Sequence, residues 1–512
     1  MNIIENYADK INGVLQTFDR VIINGYILQL CNYGQFQYYL IQNGIRLTNF
    51  SQFAEGETKL LCKHIENYIK DNGIELKYLQ SGKDDKRELA EQGMSECAAK
   101  TGLVSAFSVV ELCNTVTVRP NHATKKLEVT SRKTKCKHYY LYYNDIEFGF
   151  MFVKIQTWFP YNIQICVNGR EYLSRLLDGQ NIKYEMYYNS FSYIEDYEAA
   201  QQLADGILSK KLSDSFDGIA KKTNCLLPKI EGTLSHTYYW CIDQCEFATD
   251  ISFNSRDDLS AIYKALVEAS FFTFSSEDIY SFFGRSVGKI NNCKKADIVS
   301  DLRHRSQGFR VKFKINSNQV KMYDKGNNLR IEVTINNPKD FKILKQETDK
   351  LTGEATGQVK WVPMGKSIAN LYRYVEICKS ITSRFIDALP QLDNDKVPLK
   401  ALTVVSARKE VDGRVYTGFN ILNCDTLKLF SSIADGAFLI NGFNNKTLRS
   451  KIFNDCDSKQ NIGRTTRLLS KLKAHQIIKK VPRGNRYYLT VNGRRIVNSV
   501  LLYINKELRN AG

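Results

Sequence analysis

An alternation of apolar and polar residues that ends at a glycine constrains the local fold of this chain more than any other stretch. Val320 and Met322 alternate with polar neighbours, which is the period-two pattern of a β-strand with one buried face. Gly326 follows and can adopt a positive φ without strain, and more strand-forming side chains come after it. The sequence therefore predicts a β-hairpin over residues 320–335.

The polar side chains of this hairpin suit the cleavage of a phosphodiester bond. A phenol can attack phosphorus and form a phosphotyrosine when a cation or a bound metal stabilises its oxyanion. We predict that Tyr323 is this nucleophile and that Lys325 and Glu332 supply the cation and a metal ligand. In the alternative interpretation Tyr323 is an ordinary strand residue, and the neighbouring Lys and Arg keep a sheet edge soluble.

An earlier segment, residues 238–253, carries two carboxylates in a run of strand-forming residues. Glu246 and Asp250 are four residues apart, so a strand places both on one face, together with Gln244. Two acids on one strand provide half of the oxygen ligands of a divalent-cation site.

With these two segments the chain resembles the replication initiators of rolling-circle plasmids and filamentous phages. Those proteins carry an acid-x-x-x-Asp strand and, further along, a Tyr-Asx-Lys … Arg-Ile-Glu hairpin, which is matched here within residues 237–341. The resemblance implies that Tyr323 nicks DNA and that Lys325 and Arg330 contact phosphate. It also implies a site for Mg²⁺ or Mn²⁺ whose ligands are Glu246, Asp250 and Glu332.

Length and composition predict a multidomain protein of the α+β class. The chain has 512 residues, of which 43% are hydrophobic and 12% aromatic, so it can bury more than one core. We predict an N-terminal α/β region (1–125), an aromatic antiparallel β region with helices (126–220), an initiator-like antiparallel sheet (221–390) and, after a Pro-containing linker, a C-terminal domain (400–512).

The C-terminal domain has the pattern of a basic winged helix. Residues 445–512 contain 16 Lys and Arg but only three Asp and Glu, and the whole chain has a net charge of +18. Helices are predicted at 425–434, 445–453, 462–475 and 494–507, with wing strands at 478–481 and 486–490. The phrases Leu-Lys-Ala-His-Gln-Ile-Ile and Tyr-Leu-Thr-Val-Asn-Gly-Arg-Arg resemble MarR-like DNA-binding modules.

The third of these helices is predicted to be the recognition helix. We expect Ile462, Leu468, Leu469 and Leu472 to face the core and Thr465 to remain outside with the basic residues. The predicted nucleic-acid contacts on this helix and the wing are Arg464, Arg467, Lys471, Lys473, Arg483 and Arg486.

Cysteine usage and the termini bear on location. The 13 cysteines are odd in number and form no CxxC pair, which indicates reduced thiols in a cytoplasm and argues against a structural zinc site. No apolar run is long enough to span a bilayer, and the first residues lack the features of a signal peptide. Three short motifs are similar to those of a widespread, functionally obscure bacterial family, namely Phe-Asp-Arg-Val (18–21), Thr-Trp-Phe-Pro (157–160) and Asn-Gly-Arg-Glu (168–171). This similarity favours a bacterial or phage-encoded protein.

Three functions remain open from the sequence. The first is a metal-dependent, site-specific DNA nicking and joining enzyme that acts through a tyrosine, as replication or a mobile element requires. The second is a non-catalytic RNA- or DNA-binding component of a ribonucleoprotein. The third is a metal-dependent hydrolytic nuclease. All three have a nucleic-acid partner, and none requires a membrane.

Overall fold

The fold is taken from a computed structural model of the chain. It describes residues 3–80, 84–96, 101–274, 276–284, 298–305, 308–348, 355–389, 405–420, 423–435, 438, 442–482 and 484–510. The predicted linker before residue 400 falls largely outside this part of the chain, and so does Arg483.

Helices and strands are mixed along the chain. The α-helices are α1 Ile3–Asn6, α2 Leu28–Cys31, α3 Tyr33–Gln42, α4 Phe50–Asp71, α5 Lys86–Glu96, α6 Gly169–Gly179, α7 Tyr197–Asp205, α8 Leu212–Thr223, α9 Leu227–Leu234, α10 Arg256–Thr273, α11 Ser276–Phe282, α12 Leu371–Ala388, α13 Cys424–Ile433, α14 Asn445–Ile452, α15 Lys459–Ala474 and α16 Val491–Asn510. The strands are β1 Ile11–Tyr26, β2 Leu76–Leu79, β3 Gly102–Asn121, β4 Lys126–Asp145, β5 Gly149–Gln156, β6 Ile163–Asn168, β7 Tyr184–Met186, β8 Phe191–Ile194, β9 Tyr239–Phe253, β10 Ile298–Arg305, β11 Gly308–Ile315, β12 Asn318–Lys325, β13 Asn328–Ile335, β14 Lys342–Thr348, β15 Ala355–Pro363, β16 Lys409–Val411, β17 Arg414–Tyr416, β18 Ile478–Lys480 and β19 Tyr487–Leu489.

The described residues divide into two compact units. The sheet unit comprises Asn12–Ser252 and Arg330–Ser380, and the C-terminal unit comprises Met1–Ile11, Phe253–Leu329 and Ile381–Gly512. The predicted boundary between residues 125 and 126 lies at the turn of the β3–β4 hairpin, inside the sheet unit. Residues after 400 belong to the same compact unit as residues 253–329.

The sheet unit is built on a large, mainly antiparallel sheet. Its strands follow the order β13, β9, β1, β6, β5, β4, β3, β2, and the β2–β3 pair is parallel. Strands β4, β5 and β6 form an antiparallel meander, as predicted for the aromatic β region, and β3 pairs antiparallel with β4. Tyr140 and Tyr142 pack against Phe150 and Phe152 and are buried, so these aromatic side chains serve the core.

The C-terminal unit contains three neighbouring antiparallel strands and a helical region over residues 423–510. Strands β10, β11 and β12 are neighbours in that order. On their apolar face Phe313 contacts Phe274 and Phe282, with ring centroids 5.4 and 6.3 Å apart, and also Phe385 at 6.0 Å. This packing fixes which face of β11 and β12 is turned away from the helices.

The order of elements after residue 423 agrees with the sequence-based expectation. Helices α13, α14 and α15 precede the β18–β19 hairpin, and α16 follows it. The four helices and the hairpin share one apolar core, and Phe443 bridges to Tyr487 of β19. In the described part of the chain, no helix combines the length and the apolar character that a membrane crossing needs.

One local expectation for the recognition helix was wrong. In α15 Ile462 is exposed and Thr465 is fully buried, the reverse of the predicted arrangement. The Thr465 hydroxyl donates to the carbonyl of Asn461 at 2.8 Å, so the helix backbone satisfies this polar group inside the core.

Candidate nucleic-acid interface

Asp250 and Arg330, two residues predicted to bind a metal and a phosphate, form a buried ion pair in the sheet unit. Nε of Arg330 donates to one Asp250 oxygen at 2.7 Å, and a second guanidinium nitrogen donates to the other oxygen at 3.0 Å. Arg170 donates to the same carboxylate at 2.7 Å and Ser190 at 3.2 Å. Asp250 and Arg330 are each about 1% exposed, so water reaches neither side chain.

The start of helix α6 brings Arg170 into this pair. The Asn168 side chain accepts from the backbone N–H of Arg170 and caps the helix. Gly169 allows the close approach to β1, because a Cβ at this position would lie 2.4 Å from the Phe18 carbonyl oxygen. The Arg170 guanidinium is consequently completely buried beside two carboxylates.

Asp19 of β1 is the second acid of this network. Arg330 donates to its carboxylate at 3.1 Å, and the Asn189 side chain donates to its other oxygen. Arg330 also donates to the Asn189 carbonyl at 2.9 Å. We call Asp19, Arg170, Asp250 and Arg330 the buried ion network. It pairs two acids with two arginines, so its formal charge is balanced.

The network fixes the protonation state of its carboxylate. Burial by itself raises the pKa of the Asp250 carboxyl, but the neighbouring Arg170 and Arg330 outweigh that effect and hold the pKa well below its usual range. Asp250 is therefore ionised over the physiological pH range, and its negative charge is directed at the two guanidiniums.

Glu246 and Glu332 have different surroundings. Glu246 accepts from Arg20 at 3.0 Å and from the neighbouring Gln244 at 2.8 Å, so Gln244 and Glu246 share a face of β9 as predicted. Glu332 is buried and accepts from the Thr334 hydroxyl at 3.4 Å.

The three predicted metal ligands do not fit a divalent cation as one group. Among the described residues, the only set of three His, Cys, Asp or Glu whose ligand atoms lie within 4.8 Å of one another is Cys113, Cys136 and His138. Both oxygens of Asp250 already accept from guanidinium nitrogens. Sequence reasoning missed this pairing because Asp19 and Arg170 are far from Asp250 along the chain, and no local spacing reveals them.

Tyr323 lies in the C-terminal unit, on the face of β11 and β12 that is opposite to the packed phenylalanines. On β12 it alternates with the buried Met322, and on β11 its direct cross-strand partner is Arg310. Such partners have Cβ atoms about 4.5–5.5 Å apart. The face is basic and partly exposed, and with Tyr323 it comprises Arg310, Lys312, Lys314 and Lys321. We call these five residues the basic sheet face.

One acid modifies the charge of this surface. Asp301 of β10 lies 3.2 Å from the Lys312 ammonium and 3.9 Å from the Arg310 guanidinium. Among the side chains that the structure describes on this face, four cations accompany one carboxylate, so their sum is a positive surface around the tyrosine. By strand alternation Lys325 lies on the side of Tyr323, but Lys325 is buried. The spacing within β12 singles out Tyr323 and Lys325, but it does not reveal the cations of the preceding strand.

The predicted contacts in the helical region separate into two groups. Arg464, Arg467 and Lys473 are exposed along α15. Arg464 and Arg467, three residues apart, are neighbours on one side of the helix, whereas Lys473 lies about two and a half turns from Arg464, on the opposite side. The Arg464 guanidinium lies over the Phe453 ring, 5.3 Å from its centroid. Arg486, before β19, is exposed as well.

Lys471 belongs to the other group, because its side chain turns toward the protein. Its ammonium donates to the Gly418 carbonyl at 2.9 Å and lies 4.2 Å from the centroid of the Phe419 ring. Burial lowers the pKa of this lysine. In this conformation Lys471 supports the segment around residue 418.

Sequence reasoning also missed the group formed by Cys113, Cys136 and His138, because its ligands lie on two strands and not in a CxxC motif.

Comparison with known proteins found no match: no family model, no curated protein and no solved structure resembles this chain significantly.

Proposed function

We propose that this chain is a nucleic-acid-binding protein that holds a phosphate backbone on the basic sheet face and nicks a DNA strand through Tyr323. The observation that carries the proposal is the position of Tyr323 among Arg310, Lys312, Lys314 and Lys321, on a sheet whose other face is packed against phenylalanines. Cations that contact phosphates supply the main part of non-specific affinity for nucleic acid.

The nicking step requires a stabilised phenolate. The Tyr323 oxygen would attack phosphorus, forming a new O–P bond and breaking the bond to one sugar oxygen. The phenolic proton is lost to solvent, and the departing sugar oxygen takes up a proton. Arg310, directly across from Tyr323, would stabilise the phenolate and the charged phosphoryl oxygens. The phosphotyrosine conserves the energy of the broken bond, so the strand can be rejoined.

The helical region would add recognition of duplex DNA. Its element order and basic charge support a winged helix in which α15 lies in the major groove. Arg464, Arg467 and Lys473 are the side chains that would reach bases or phosphates from that helix. We propose that such a protein acts in the cytoplasm of a bacterium or of a phage-infected cell.

A non-catalytic binding protein is the second candidate. It is favoured by the engagement of Asp250 and Arg330 with each other, because the residues that the initiator resemblance assigned to metal and phosphate are used in the buried ion network. Such a protein would bind DNA or RNA with the same basic surfaces and form no covalent intermediate.

The two candidates differ in a covalent product. We would incubate the full-length protein with end-labelled single-stranded DNA of randomised sequence and search for a protein–DNA adduct that survives denaturation in detergent. Nicking predicts this adduct in the wild type, its loss in Tyr323→Phe and its retention in Tyr239→Phe, which alters an exposed tyrosine of the other unit. Wild-type protein that binds the DNA without forming an adduct would support the non-catalytic candidate.

Dependence on Mg²⁺ or Mn²⁺ is tested in the same assay. The resemblance predicts that EDTA prevents adduct formation and that Mg²⁺ or Mn²⁺ restores it. Adduct formation that is insensitive to EDTA would instead assign activation of Tyr323 to the cations of the basic sheet face.

A further inference from the structure

Two cysteines and a histidine converge on one face of the β3–β4 hairpin in the sheet unit. Cys113 lies opposite Thr134, and Cys136 lies opposite Glu111, two residues along each strand. Alternation places Cys113, Cys136 and His138 on the same side. The Sγ atoms of the cysteines are 3.0 Å apart, and Nδ1 of His138 is 3.9 Å from Cys136 Sγ. Three soft or borderline ligand atoms thus surround one point.

The strand register favours a bridging ion over a disulfide. Cys113 and Cys136 are diagonal neighbours, whose separation in an antiparallel pair is about 7–8 Å. A disulfide cannot close without backbone movement when the Cα atoms are more than about 7 Å apart. A metal ion between the sulfurs relaxes this requirement, because each sulfur needs only to reach the ion.

The observed distances are close to those of a tetrahedral site. With a metal–sulfur distance of about 2.3 Å, two thiolates on a tetrahedral ion are about 3.8 Å apart. The sulfurs would separate by about 0.8 Å from their 3.0 Å distance, a shift that side-chain rotation can supply. The 3.9 Å between Cys136 Sγ and His138 Nδ1 already suits such a site.

The surroundings of the site allow a metal ion to enter and bind. Each thiol would give up its proton to solvent when the metal binds, since thiolate is the form that ligates. His138 is buried, and its Nδ1 lies 3.1 Å from the Cys136 carbonyl oxygen, so metal binding through Nδ1 would replace this contact. The cysteines are only partly buried, so an ion can enter from solvent.

We propose that Cys113, Cys136 and His138 form a binding site for Zn²⁺. Two thiolates and one imidazole are a donor set that selects zinc over Mg²⁺ or Ca²⁺. Three protein ligands leave a fourth tetrahedral position for water or another small ligand. The site is independent of the nucleic-acid function proposed above, since it uses none of those residues.

The test uses Co²⁺ as a spectroscopic substitute for Zn²⁺. Full-length protein is stripped of metals under reducing, anaerobic conditions and titrated with Co²⁺. We expect thiolate-to-cobalt charge-transfer bands in the near ultraviolet and intense visible bands of tetrahedral Co²⁺, saturating at one ion per chain. Addition of Zn²⁺ should remove both sets of bands.

Variants locate the site. Cys113→Ser, Cys136→Ser and His138→Gln should each weaken Co²⁺ binding by about tenfold or more, since even loss of an outer-shell partner weakens metal binding about 10–100-fold. Cys225→Ser and Cys31→Ser, which alter exposed cysteines elsewhere, should leave the spectrum unchanged. Circular dichroism of each variant verifies folding.

A second measurement covers a variant that does not fold. In the wild type, Zn²⁺ should protect Cys113 and Cys136 from alkylation and leave Cys31 and Cys225 reactive, as mass spectrometry of the peptides shows. Absence of cobalt bands in the wild type, bands that persist at full strength in Cys113→Ser and Cys136→Ser, or a Cys113–Cys136 disulfide in freshly isolated protein would each overturn the proposal.

Discussion

Arg330 binds Asp250 through two nitrogens, with donor–acceptor distances of 2.7 and 3.0 Å, and both residues are about 1% exposed. A buried pair with this fork geometry is stable only when other polar groups compensate its remaining charge and hydrogen-bonding atoms, because desolvation of an isolated charge is costly. Here Arg170 pairs with Asp250, and Asp19 pairs with Arg330. The stability of the region where β1, β9, β13 and helix α6 meet therefore depends on all four side chains.

Removal of one member should destabilise the protein strongly. We expect Arg330→Ala to lower the free energy of unfolding by about 3–5 kcal/mol, because it leaves a buried carboxylate without its main partner. The measurement is denaturant unfolding followed by circular dichroism.

The matched control is Arg20→Ala. Arg20 pairs with Glu246 on the same sheet, but its side chain is 44% exposed. Solvent screens such a pair, so the expected loss is about 0–1 kcal/mol. Equal losses in the two variants would contradict the importance of the buried ion network.

The lowered pKa of Asp250 predicts a pH dependence of stability. A carboxyl whose pKa is lower in the folded than in the unfolded state contributes stability that is complete above its unfolded pKa, about 3.9, and is lost as pH falls toward the folded pKa. The difference in unfolding free energy between the wild type and Asp250→Asn should therefore be constant from pH 7 to about 5 and shrink below about pH 4.

This dependence is measured by urea unfolding of both proteins at several pH values. Other carboxyls affect both proteins alike, so only the difference is informative. A difference that grows as the pH falls has the wrong sign for a paired, ionised Asp250.

Along α15, inward and outward lysines and arginines should behave differently. Because the Lys471 ammonium donates to the Gly418 carbonyl, Lys471→Ala should reduce thermal stability and leave the salt dependence of DNA binding unchanged. Arg464→Ala with Arg467→Ala should weaken duplex binding and reduce the slope of log K against log salt by about 0.9 for each phosphate that is no longer bound. If Lys471→Ala reduces the slope and the arginine pair does not, the assignment of Lys471 to an internal contact and of the arginines to DNA is wrong.

Local features were predictable because they depend on neighbouring residues. The strands on either side of Gly326 formed where the alternation predicted them, and Gly326 has the positive φ that its turn requires. Helix α14 and the β18–β19 hairpin begin within one residue of their predicted positions. In these segments side-chain periodicity and turn residues determine the secondary structure.

Partners across long distances were not predictable. Asp250 was expected to bind a metal because the strand pattern shows which face a carboxylate occupies, but not what approaches that face. Arg170 reaches it only because Gly169 allows helix α6 to begin against β1. Arg310 likewise lies beside Tyr323 through the register of β11 and β12, which only the assembled sheet reveals.

The central claim is that the basic sheet face holds nucleic acid, and the salt dependence of binding tests it most directly. We would compare the wild type with a triple variant in which Lys312, Lys314 and Lys321 are changed to Ala. The control variant changes three exposed lysines of α4, namely Lys59, Lys63 and Lys70, and so alters the net charge equally.

Binding of one single-stranded oligonucleotide is titrated at several salt concentrations. Each phosphate that a variant no longer binds should reduce the slope of log K against log salt by about 0.7, so the basic-face variant should show a slope smaller by about 2 units and the α4 variant almost no change. Equal slopes for the wild type and the basic-face variant, or an equal reduction in the two variants, would contradict the claim.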